Sequence, residues 1–169
     1  MTGIERGTPP LTADERTNLE SWLDFYRATL LQKFEGLTEE QVRTAAAPPS
    51  PLTLLGLVQH MAEVERNWFR RVLLGEDVPP VRPKDGDGRH DGGFALTEDV
   101  SARTARTTLQ DEIARARANC AGCDLAQTGS FGRGAVSLRW IYTHMIGEYA
   151  RHCGHADLLR ERIDGTTGV

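Results

Sequence analysis

The sequence predicts an all-α protein: a single-domain four-helix bundle, spanning residues 1–169, with one long crossover connection. Three observations carry this expectation. Apolar residues recur at helical spacing in four segments, no segment alternates as a strand does, and proline- and glycine-rich stretches separate the four. The 169 residues suit one domain with a proper core, and 39% apolar with 26% charged residues is ordinary for a globular chain.

The first eleven residues read as a flexible N-terminus. Thr12 followed by Glu15 reads as a capping box opening the first helix. Leu19, Trp22, Leu23, Tyr26, Leu30 and Phe34 then mark its apolar face, and Gly36 ends it. A short turn, Thr38 to Val42, leads to the Pro-rich stretch Ala47–Pro51. Ser50 with Pro51 signals a second helix that runs to Leu74 and stops at Gly75. The connection EDVPPVRPKDGDGRHDGG, Glu76 to Gly93, offers nothing to pack, and loops of this length are commonly functional or mobile. Thr97-Glu98-Asp99 starts a third helix with weaker apolar positions, Val100, Leu109 and Ile113. A Gly-containing connection, Thr128–Gly134, precedes a fourth helix from Val136 to Ile163. Bundles of this kind place ligand and metal sites between facing helices.

Charge narrows the partners. A net charge of −4 gives no general attraction to nucleic acid or to anionic membranes. The N-terminus lacks a signal-peptide pattern, and the longest apolar run, Leu54–Val58, is too short to span a bilayer. Three cysteines without an export signal point to free thiols in a reducing compartment, so the cytoplasm is expected. Lys33 and Lys84 are the only lysines beside many arginines, which hints at a GC-rich bacterial source.

The fourth helix carries the chemistry. At about 100° per residue, His144, Glu148, His152 and His155 fall within an arc of roughly 80°. Leu138, Ile141, Met145 and Leu159 lie on or beside that arc, so the polar stripe is expected to face the interior, with Arg160 and its neighbours toward solvent. A glutamate and several imidazoles buried together are costly unless paired or bound to a metal. Glu148 and His152 stand one turn apart and can reach one ion. A third ligand must come from another helix, and His60 is the candidate, set among Leu57, Met61, Val64 and Trp68. Taken singly, His60 also reads as a hydrogen-bonded core histidine, and Glu148 with His152 as an ion pair. In combination they give two imidazoles and a carboxylate, the ligand set of many catalytic zinc sites with an open position. Nickel and iron(II) accept the same set. His144 and His155 are candidate outer partners or alternative ligands. Arg139 and Arg151 are the cations that could grip a substrate anion or neutralise Glu148.

These residues resemble the signature of the DinB-like metalloproteins, in particular a branch rich in actinobacterial proteins. The likeness lies in Leu138-Arg139-Trp140, His144, Glu148 through Asp157 and Arg160 through Gly165. It extends to Leu54 through His60 and Glu63 through Phe69, and overall from Leu19 to Gly168. The resemblance implies an up-down-down-up four-helix bundle with a metal held by three side chains. The mycothiol-dependent maleylpyruvate isomerases are similar in placing His first and Glu-x-x-x-His later, an order that His60, Glu148 and His152 match. Related members are thiol S-transferases that use mycothiol or bacillithiol, with the metal binding the cofactor sulfur. The sequence ends soon after Gly165, without the isomerase's further C-terminal domain, so thiol transfer is expected rather than isomerisation.

The expectation is therefore a metal-dependent S-transferase acting on mycothiol and an electrophilic small molecule, with a homodimer among the assemblies to consider. The alternatives are a non-catalytic, metal-stabilised stress-response or ligand-binding protein, favoured by a fourth ligand from His144 or His155, and a metal-dependent hydrolase using either histidine as base. Other motifs read as structural. Cys120-x-x-Cys123 lacks a second pair or a thioredoxin-like context. Cys153 points about 100° away from His152 and reads as packing. His90 reads as a solvated loop residue, and Gly132 and Gly134 as a hinge at the mouth of the site.

Overall fold

A computed structural model describes residues 4–81, 94–96 and 98–168 of the chain. Among these the protein is mostly helical, with α1 Glu15–Phe34, α2 Glu39–Val42, α3 Leu54–Arg66, α4 Ala102–Cys120 and α5 Leu138–Asp164. Asn67–Val72 continues α3 as a π-helix. Two short antiparallel strands, β1 Thr128–Phe131 and β2 Gly134–Ser137, complete the described elements. The expectation of mainly helical structure holds, with a fifth helix where a turn was read and a hairpin where a hinge was read. No described helix is long and apolar enough to cross a membrane. The chain packs as two compact units, Met1–Leu57 with Tyr142–Val169, and Val58–Ile141.

In the first unit, α1 is capped by Asp14 rather than Thr12. The Asp14 carboxylate accepts from the Thr17 amide at 3.0 Å and from its hydroxyl at 2.6 Å, and a negative charge suits a helix N-terminus. The buried face is Leu23, Arg27, Leu30, Leu31 and Phe34, at i, i+4, i+7, i+8 and i+11. Trp22, expected on that face, is exposed and packs against Phe25 and Tyr26. Gly36 has a φ of +76° just past the helix end, a conformation glycine adopts without strain. α2 is short but well capped: Thr38 and Gln41 form a reciprocal capping box. On α5, Lys33 of α1 meets Asp157 at 2.7 Å, and Tyr142 donates to Glu20 at 3.0 Å. Arg160 does not point freely to solvent as expected. Its Nη1 donates to the Lys33 and Glu35 carbonyls at 3.0 and 2.8 Å, satisfying acceptors that the end of α1 leaves open.

In the second unit, α4 is capped by Ser101, whose hydroxyl accepts from the Thr104 amide, four residues beyond the expected Thr97. Glu112 on α4 is buried and meets Arg66 at 2.6 Å and Arg70 at 3.3 Å. The same arginine cluster anchors the chain that leaves the π-helix. Arg66 donates to the Pro79 carbonyl, Arg71 to that of Val78, and Glu63 accepts from the Val81 amide. The rest of the expected covering loop, residues 82–93 with His90, lies outside the described residues. The strands pair Phe131 with Gly134, leaving Gly132 and Arg133 as a two-residue turn. Gly132 has a φ of +59°, which this hairpin turn requires. Where a hinge was expected, Gly132 thus lies in the turn of a hairpin and Gly134 opens β2. Gly129 lies against the π-helix so closely that a Cβ there would fall 2.0 Å from the Val72 carbonyl oxygen.

Candidate metal centre

The 27 residues of α5 form one uninterrupted helix, so the spacing of its polar side chains becomes a fixed geometry. Glu148 sits at the centre of the stripe. Its Oε2 is 3.5 Å from His152 Nε2, and its Oε1 is 4.0 Å from His144 Nε2 and 3.6 Å from Arg151 Nη1. His152 is buried, while Glu148 and His144 are half-buried. Separations of 3.5–4.0 Å are longer than a good hydrogen bond, so these cations and imidazoles surround the carboxylate without gripping it. Arg151 is 65% exposed in its side chain, which makes that pair weak. Burial pushes the His144 imidazolium below its ordinary pKa; Glu148 opposes this and Arg151 adds to it. On the far side of His152, its Nδ1 lies 3.4 Å from Nδ1 of His155, with the two rings edge to face.

His60 lies on α3 and is half-buried. Its ring stacks on that of Phe94, with centroids 4.1 Å apart and planes 16° from parallel. His60, Glu148 and His152 each offer one ligand atom, and these atoms lie within 4.8 Å of one another. Ligands 2.0–2.2 Å from a tetrahedral ion stand about 3.3–3.6 Å apart. The 4.8 Å limit is somewhat wider than the roughly 4 Å expected from sequence. Two imidazoles and a carboxylate, with the carboxylate held by long contacts only, are a donor set that suits a divalent metal.

The remaining sequence candidates are placed as follows. Arg139 is exposed near the start of α5, where its amide donates to the Leu125 carbonyl at 3.0 Å. Arg151 is beside Glu148, as given above. The thiol of Cys123 donates to the Asn119 carbonyl at 3.1 Å, and Cys120 is buried on α4, so both pack at the end of that helix. The Cys153 thiol is pushed up to about 12, chiefly by burial and next by the charge of Asp157. Phe94 escaped the sequence reading. It follows the long connection, and no local pattern announces that its ring meets His60.

No curated protein matches the sequence. The family described as mycothiol S-transferase matches residues 18–165, nearly the full length, and the chain belongs to that family, within the DinB-like superfamily.

Proposed function

We propose that the protein is a mycothiol-dependent S-transferase whose single divalent ion, zinc in the first instance, is held by His60, Glu148 and His152 on a bundle of DinB type. The observation that carries this reading is the approach of the three ligand atoms to within 4.8 Å, in a chain of the mycothiol S-transferase family. Such an ion supplies Lewis acidity, which lowers the pKa of a coordinated thiol and so gives thiolate at neutral pH.

The chain's own residues do the rest. Glu148 contributes negative charge, which offsets part of the ion's charge, and the two imidazoles remain neutral as ligands must. His144, whose Nε2 is 4.0 Å from Glu148, stands beside the proposed site as a base for the proton that the thiol releases. The thiolate then forms a sulfur–carbon bond to an electrophilic small molecule. The displaced group leaves with the electron pair of its bond to carbon; in a conjugate acceptor that pair moves along the π system instead. Cys153, although next to His152 in sequence, does not serve as the nucleophile: it is buried and its thiol is pushed up to about 12. A reducing cytoplasm suits the three free cysteines.

Cobalt substitution tests the reading. Titrating cobalt-loaded protein with mycothiol should raise a near-ultraviolet sulfur-to-cobalt band, with cysteine and glutathione weaker, and Glu148→Ala protein should give none. If no thiol perturbs the spectrum, thiol transfer is wrong, and hydrolysis or simple ligand binding takes its place.

A further inference from the structure

The stripe on α5 contains one contact that the proposed ligand set leaves unused. His152 is buried and presents its two nitrogens to different partners: Nε2 to Glu148 Oε2 at 3.5 Å, and Nδ1 to His155 Nδ1 at 3.4 Å. A buried ring nitrogen needs a partner, because leaving it unsatisfied costs its lost hydration. Two like nitrogens facing each other make a hydrogen bond only if one carries the proton and the other does not.

We infer that His155 is a positioning residue for His152: it accepts a hydrogen bond from His152 Nδ1–H and thereby aims the Nε2 lone pair at the metal. The inference rests on the proposed metal site and goes further, since it assigns every ring proton. Once Nε2 gives its lone pair to an ion, the His152 proton has only Nδ1 to occupy. His155 Nδ1 must then be bare, with the His155 proton on its own Nε2. The pairing is local and rigid, because the two residues are three apart on one helix and the rings meet edge to face at 64°. Partners of this kind fix the tautomer and the plane of a ligating imidazole, and losing one typically weakens metal binding about 10–100-fold. It also gives His155 a task other than fourth ligand, so that the ion keeps a position for substrate.

Zinc affinity measured by competition with a chromogenic chelator tests this, on the unmodified chain and on His155→Ala, His155→Asn and His152→Ala. Asparagine places a carbonyl oxygen close to where histidine has Nδ1, and so keeps the acceptor. His155→Ala should bind zinc about 10–100-fold more weakly, His155→Asn should recover most of that loss, and the metal-free proteins should melt alike. Nitrogen-15 NMR of the unmodified zinc protein should show His152 protonated at Nδ1 and His155 at Nε2. Affinity of His155→Ala equal to the unmodified chain overturns the inference, as does failure of asparagine to recover what alanine loses. A His155 nitrogen shifted by direct coordination also overturns it. If His152→Ala binds zinc as well as the unmodified chain does, the metal site itself is wrong, which is a separate failure.

Discussion

Loading the proposed site with zinc should stabilise the fold by an amount that mass action sets. His60 and the Glu148–His152 pair are far apart in sequence and lie on different helices, so the unfolded chain does not assemble the trio. Ion binding is then coupled to folding. At free zinc about 100 times the dissociation constant, the stabilisation is about 2.7 kcal/mol. A chain of this size shifts about 2–4 °C per kcal/mol, which gives a rise of about 5–11 °C in melting temperature. The assay is differential scanning fluorimetry of chelator-treated protein with graded zinc, alongside His152→Ala. The variant should melt independently of zinc. A protein shown by elemental analysis to hold one zinc, yet melting alike with and without chelator, would refute the coupling. So would a full zinc response from His152→Ala.

Two further expectations concern the surrounding structure. Gly129→Ala should cost about 3 kcal/mol, the upper end for overpacking, because its Cβ would meet the Val72 carbonyl oxygen at 2.0 Å and the three nearest atoms, of Val72 and Leu73, are all backbone. Gly122→Ala, with nothing within 4 Å of its Cβ, should stay within about 0.5 kcal/mol, and equal chemical denaturation midpoints for the two would contradict the packing of β1 on the π-helix. For Cys153, with a pKa of about 12, only about one molecule in 10⁴ is thiolate at pH 8, against about one in ten for an unperturbed thiol of pKa 9.0. Iodoacetamide mapping should therefore find Cys153 roughly a thousandfold slower than an ordinary thiol, and labelling at the ordinary rate would refute its burial. The sign for stability follows. The fold favours the protonated thiol, so this contribution is complete below pH 9.0 and is lost as pH rises toward about 12.

The spacing within the candidate site was legible because helical periodicity is rigid. Glu148 and His152 are one turn apart in any α-helix, and α5 runs unbroken through both. Helix ends were legible where glycine takes positive φ, at Gly36 and Gly75. Starts were less so. Thr12, Asp14, Ser50, Thr53 and Ser101 all carry capping side chains, and the local pattern alone does not decide which amide each meets. The hairpin was missed because its strands are four residues each, TGSF and GAVS, too short and too poor in β-branched residues to show alternation. The π-helix likewise has no sequence mark in NWFRRV. Arg160 was misread because an arginine stem lies along apolar surface while its head reaches another helix's carbonyls. Phe94 on His60 depends on where a long connection returns, which composition does not encode.

A crystal structure of zinc-loaded protein with anomalous data on both sides of the zinc edge tests the proposed centre most directly. The expected result is one anomalous peak with His60, Glu148 and His152 at about 2.0–2.2 Å, His155 Nδ1 within hydrogen-bond distance of His152, and a fourth position filled by solvent or added thiol. A peak bound by His144 or His155 in place of His60, or four protein ligands closing the ion off, would contradict it.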